Sequence, residues 1–163
     1  MKHTKKIVYA AIIGALYFVM VVGIAPLSYH VLQFRAANVL KALALCRPEF
    51  AFGFALGNFF ANQASPFGWL DWAIMPLFDV ASALAAWHLR RWRWLAVIVQ
   101  SAVIATGVAT FPLGLGAGLP WLASFASVFV SSAVIIGAGV VILVPAYEAV
   151  FSDDVLIASR RHS

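Results

Sequence analysis

The chain has 163 residues, 64% of them hydrophobic and only 10% charged, with a net charge of +5 and a mean hydropathy of +0.95. A soluble domain carries roughly 45–50% apolar and about 25% charged residues, and a water-soluble fold of this length could not cover so much apolar surface with so few charges. Composition therefore excludes a soluble globular domain and predicts an all-α integral membrane protein built as a single domain over residues 1–163.

A spanning helix needs about 20 consecutive apolar residues. Residues 7–25 form the first such run, which ends at Pro26. The second, 32–46, is shorter and interrupted by polar side chains. The third, 50–64, is also short and is bounded by Pro48 and Pro66. Runs at 70–89, 94–111 and 121–151 follow, the last long enough to tilt or to extend past the membrane surface. Prolines at 26, 48, 66, 112 and 120 mark the boundaries, as helix-ending residues do. Pro76 and Pro145 fall inside predicted spans, where membrane helices tolerate them with local kinks. The reading is six transmembrane helices.

Lys2, Lys5 and Lys6 precede the first run, and Arg47 lies between the second and third. Arg90, Arg91 and Arg93 lie between the fourth and fifth, and Arg160 and Arg161 close the chain. Lys41 is expected to snorkel toward the same side. Ten of the eleven Lys and Arg residues then fall on one side of a six-helix topology, all but Arg35. The excess of cations in cytoplasmic loops predicts both termini inside, in the plasma membrane. Topology accounts for the net charge, so no nucleic-acid partner is called for.

Other motifs point nowhere else. Cys46 is the only cysteine, which excludes an internal disulfide and a cysteine metal cluster. The four histidines are scattered, and no metal or cofactor is expected. "GLGAGLPW", residues 114–121, lacks the Lys and Ser/Thr of a nucleotide loop. "WHLRRWRW", residues 87–94, reads as an interfacial tryptophan belt with inside arginines. There is no nucleophile–base constellation, so an enzyme is not predicted. There is no ATPase motif either, so uphill transport would draw on a gradient or another subunit.

Polar residues inside a membrane usually face a bundle interior or a cavity. Gln33, Arg35 and Asn38 lie at the start of the second run, and Asn58, Asn62 and Gln63 on the third. Asp71 and Asp79 lie on the fourth and Gln100 on the fifth. Asn58 and Asn62 are four apart and share a helix face, as do Arg35 and Asn38 three apart. Trp69, Trp72 and Trp121 fall at about the level of Asp71. Amides and carboxylates that pair with ring edges, beside aromatic faces that stack on the ring, suit a small flat polar solute. The alternative is structural: Arg35 pairs with Asp71 to hold two helices together, and Asn62 joins helices. Ala10, Ala11, Gly14 and Ala15 make a small-residue patch on the first run, and Gly53, Gly57 and Ala61 another on the third. Such faces serve either internal packing or a partner helix.

"AAIIGALY" (10–17), "APLSYHVLQFR" (25–35) and "GNFFANQASPFGWLD" (57–71) together resemble the QueT-type substrate-binding subunits of energy-coupling factor transporters. The resemblance covers the first half of the chain by motif and the second by length and hydropathy. It implies a six-helix subunit that binds a queuosine precursor, a 7-deazaguanine such as queuine or its aminomethyl precursor, at the outer side. It further implies docking on a membrane coupling protein driven by two ABC ATPases, with Ala11 and Ala15 matching the family's Ala-xxx-Ala docking face. The substrate-binding residues expected are Gln33, Arg35, Asn38, Asn62, Trp69, Asp71, Trp72 and Asp79. Where the family pattern has Glu three residues after the arginine, this chain has Asn38, and Asp79 stands where a small or hydroxyl residue is expected. These departures bear on the identity of the solute. The alternatives are a subunit for another vitamin-like solute, or a self-sufficient small secondary transporter. The latter would favour an inverted repeat or coupled midplane carboxylates.

Overall fold

The computed structural model describes residues 2–23 and 35–151. Among these the chain is entirely helical and turn, without a strand. Helix α1 spans Lys2–Gly23, and a 3-10 helix spans Ala36–Leu45. Helix α2 runs Phe50–Ala61 and ends in a 3-10 turn at Asn62–Ala64. A π-helical turn, Leu70–Ile74, leads into α3 (Met75–His88). Helix α4 (Arg93–Thr110) passes into a second π-helical turn, Phe111–Gly116, and α5 spans Trp121–Val150.

Four stretches are long and apolar enough to cross a bilayer: His3–Gly23, Leu70–His88, Arg93–Gly116 and Trp121–Val150. The second and third runs are shorter rods of 10 and 12 residues. Winding partly compensates. At about 2.0 Å per residue the 3-10 rod reaches about 20 Å, where an α-helix of equal length would reach about 15 Å. Both remain below the roughly 30 Å of a hydrocarbon core.

Each π turn is tied to a proline. Pro76 cannot donate to the carbonyl of Trp72, and its ring crowds that carbonyl, so the preceding turn widens. Pro112 sits at the start of the other. The kink expected at Pro76 thus takes the form of a π turn, which re-aims Asp71.

The helices pack as a series, α1 on α2, α2 on α3, α3 on α4 and α4 on α5, with the 3-10 helix against α5 and touching every other helix. Glycines permit the closest approaches. A Cβ on Gly14 would stand 2.6 Å from the carbonyl oxygen of Gly53, and one on Gly57 would collide with the carbonyl oxygen of Gly14. Ala10 and Gly14 are therefore spent on the α1–α2 contact, and so are Gly53 and Gly57.

Polarity is inverted relative to a soluble protein. Ile7, Ile12, Val19, Leu77, Val141 and Ile142 are exposed, while Arg35, Lys41, Asp71, Asp79 and Gln100 are buried. Apolar side chains face outward and polar ones face each other, as expected of a helix bundle in a bilayer. One end of the bundle is basic. There Arg47 stacks over the Tyr9 ring at 4.7 Å, pairs with Glu49 at 3.1 Å and donates to the Tyr147 hydroxyl. Arg93 pairs with Glu148 at 2.8 Å, and Arg90 covers Trp87 at 4.0 Å.

Candidate functional site

The 3-10 winding decides which side chains enter the interior. Arg35 immediately precedes this helix in extended backbone, and its carbonyl accepts from the Asn38 N–H at 2.9 Å. With three residues per turn, positions i, i+3 and i+6 stand in one row. In an α-helix the third would be turned about 120° from the first. Arg35, Asn38 and Lys41 thus form one polar row, exposed by only 5, 3 and 2%. The row of Val39 and Ala42 lies on α5, where a Cβ on Gly139 would strike the Val39 carbonyl oxygen and stand 2.8 Å from the Ala42 Cβ.

The Arg35 end of the row is a dense hydrogen-bond network. Arg35 donates from one guanidinium nitrogen to Asn58 Oδ1 at 2.8 Å, and from the other to Asn62 Oδ1 at 3.1 Å and Asp71 Oδ2 at 3.3 Å. Asn62 Nδ2 donates to Asp71 Oδ1 at 2.8 Å, and Ser65 Oγ to Asp71 Oδ2 at 2.6 Å. The carboxylate accepts three donors and is 1% exposed. This joins the 3-10 helix, α2 and the π turn before α3.

The Lys41 end is less complete. Lys41 Nζ lies 2.5 Å from Asp79 Oδ1, with both side chains buried. Lys41 therefore does not snorkel to the basic end, as its place late in the run suggested. The winding turns it inward, and Asp79 on α3 compensates its charge. Its ammonium also lies 5.3 Å from the Tyr17 ring centroid. The Tyr17 hydroxyl donates to Asn38 Oδ1 at 3.2 Å, and Gln100 Nε2 donates to the Lys41 carbonyl at 3.2 Å. Three buried atoms here make no hydrogen bond among the described residues: Asn58 Nδ2, Asp79 Oδ2 and Gln100 Oε1. Such atoms are rare in folded interiors and call for a partner.

Arg35, Asn38, Lys41, Asn58 and Asp79 share a cavity with Met75, Ile104, Val108 and Val128. The lining is thus part polar and part apolar. Its volume is about 10 Å³, on the order of a single water.

The sequence model of the QueT transporter family matches residues 7–148. The chain belongs to the QueT transporter family. No curated protein and no solved structure gives a significant match. QueT is a family of transporters, not of enzymes. With its four spanning-length apolar helices, this QueT protein is a multi-pass protein of the cell membrane.

Within this QueT transporter, Arg35, Asn38 and Asp79 line the cavity, and Asn62 and Asp71 lie behind Arg35 in its network. Trp72 is half-buried and meets the Phe59 ring edge-on at 5.8 Å. Trp69 is 61% exposed, and neither tryptophan lines the cavity. Gln33 lies outside the described residues. Sequence reasoning did not assign Lys41, Asn58 or Ser65 to the site. The i, i+3, i+6 spacing from Arg35 to Lys41 was a usable signal for the first. For the second, the four-residue spacing to Asn62 was another. Ala11 and Ala15 are exposed on α1, beside the Ala10–Gly14 face that packs on α2.

Proposed function

We propose that this protein is the solute-binding subunit of an energy-coupling factor transporter and that its solute is a 7-deazaguanine base. The observation that carries the reading is the pairing of an uncommitted donor, Asn58 Nδ2, with an uncommitted acceptor, Asp79 Oδ2, on one cavity. The edge of a guanine-like base presents two N–H donors beside a carbonyl acceptor, which complements a carboxylate beside an amide. The apolar side chains of Ile104, Val108 and Val128 in the lining suit a ring face. In this reading Asn38, Asn58 and Asp79 touch the base, while Arg35, Asn62 and Asp71 build the wall behind them. At about 10 Å³ the cavity must widen before a base can enter.

The basic end supports an orientation with that end in the cytoplasm, both termini inside and six passes. The exposed Ala11 and Ala15 fit the docking of a coupling protein, itself driven by two ABC ATPases.

Calorimetry on the purified protein in detergent, with queuine and its aminomethyl and cyano precursors, tests the solute. Tight binding of one base is expected. A folded protein that binds none of them sinks the solute reading, and other vitamins would then be screened. In vesicles, ATP-dependent uptake is expected only with the coupling protein and ATPases present. An Ala11→Trp/Ala15→Trp variant should keep solute binding and lose uptake. Uptake by the isolated subunit would instead identify a self-sufficient transporter.

A further inference from the structure

The charge balance around the cavity restricts its solute further, given the solute reading above. The chain has six carboxylates: Glu49, Asp71, Asp79, Glu148, Asp153 and Asp154. Glu49 and Glu148 pair with Arg47 and Arg93 at the basic end. Asp153 and Asp154 lie in the carboxy-terminal tail, beyond the described residues. Asp71 is engaged by Arg35, Asn62 and Ser65. Among the described residues that leaves Asp79, and Lys41 already neutralises it at 2.5 Å. The buried cluster of Arg35, Lys41, Asp71 and Asp79 therefore sums to zero before any solute arrives. A cation placed there would be a buried charge without its own counter-charge, which is strongly unfavourable. The position three residues after Arg35 could have supplied one, but it is Asn38, which donates and accepts without charge.

We infer that the cavity selects an uncharged base, and that Lys41 sets this selection by holding Asp79 neutralised. Asp79 Oδ2 then works as a hydrogen-bond acceptor for ring N–H groups, not as an anchor for an ammonium. Among deazaguanines this favours the cyano compound over the aminomethyl compound and queuine, both of which carry an amine protonated at neutral pH.

The test measures binding of 7-cyano-7-deazaguanine and 7-aminomethyl-7-deazaguanine to the full chain in detergent at pH 7. The cyano base should bind more tightly, on the order of a hundredfold. Lys41→Gln releases Asp79 and should narrow or reverse that ratio. Asn38→Asp does so independently. It is isosteric, keeps the acceptor for the Tyr17 hydroxyl and leaves the Lys41–Asp79 pair intact, so it serves if Lys41→Gln does not fold. Equal or tighter binding of the aminomethyl base by the unmodified protein overturns the inference while sustaining the deazaguanine reading. So does an unchanged ratio in both folded variants. Binding of queuine alone likewise overturns the inference and sustains the deazaguanine reading, whereas a folded protein that binds neither base nor queuine removes both readings together.

Discussion

Arg35→Ala is expected to destabilise the bundle by about 3–5 kcal/mol, the range for removing one partner of a buried ion pair, and to abolish solute binding. The variant strands Asp71 at 1% exposure with only neutral donors, Asn62 and Ser65. It also leaves Asn58 Oδ1 and Asn62 Oδ1 without the guanidinium that joins them. Lysine cannot restore this. Its ammonium is a compact point charge that does not reproduce the planar fork reaching three acceptors. Arg35→Lys should therefore fall between alanine and the unmodified protein. Arg35→Ala/Asp71→Ala should be less destabilised than the sum of its single variants, because both remove the same pair. Thermal unfolding in detergent of the unmodified chain, Arg35→Ala, Arg35→Lys, Asp71→Ala and the double variant reads the comparison. An Arg35→Ala midpoint equal to that of the unmodified chain would show that the network contributes nothing to the fold.

How far the sequence reveals this site depends on which interaction governs each residue. The lipid-facing class and the positions of the runs follow from composition and proline placement alone. Asn58 and Asn62 were legible because α-helical spacing puts them on one face, and one guanidinium indeed reaches both. Lys41 was not legible. Ten residues of AANVLKALAL do not distinguish a rotation of about 100° per residue from one of about 120°. That difference alone decides whether Lys41 faces the cavity or its rim. Ser65 was hidden because its bond to Asp71 depends on how the short turn around Pro66 closes, which no periodicity encodes. Trp69 and Trp72 share a level in the sequence, but Trp69 precedes the widened turn and is exposed while Trp72 lies on it against Phe59.

The small-residue faces divide by function, and the second large effect follows from that division. Gly53→Val should separate α1 from α2 and destabilise the protein toward the upper end of about 1–3 kcal/mol or beyond, the range for overpacking. Its Cβ would collide with the carbonyl oxygen of Ala10, which is backbone and cannot rotate away. Gly14→Val meets the carbonyl oxygen of Gly53 at 2.6 Å and should behave alike. Gly23→Ala is the control. Nothing lies within 4 Å of its Cβ at the end of α1, and alanine favours helix over glycine by about 1 kcal/mol in a helix interior, so stability should hold or rise slightly. Ala11→Leu, on the exposed side of the same helix, should leave the isolated subunit's stability unchanged. The contrast has a functional consequence. Tyr17, one helical turn from Gly14, donates to Asn38 and lies beside Lys41, so displacing α1 also moves a wall of the polar row. Gly14→Val and Gly53→Val should therefore weaken solute binding without altering a single lining residue. Full stability in both variants would mean that α1 does not need this close approach to hold the row in place.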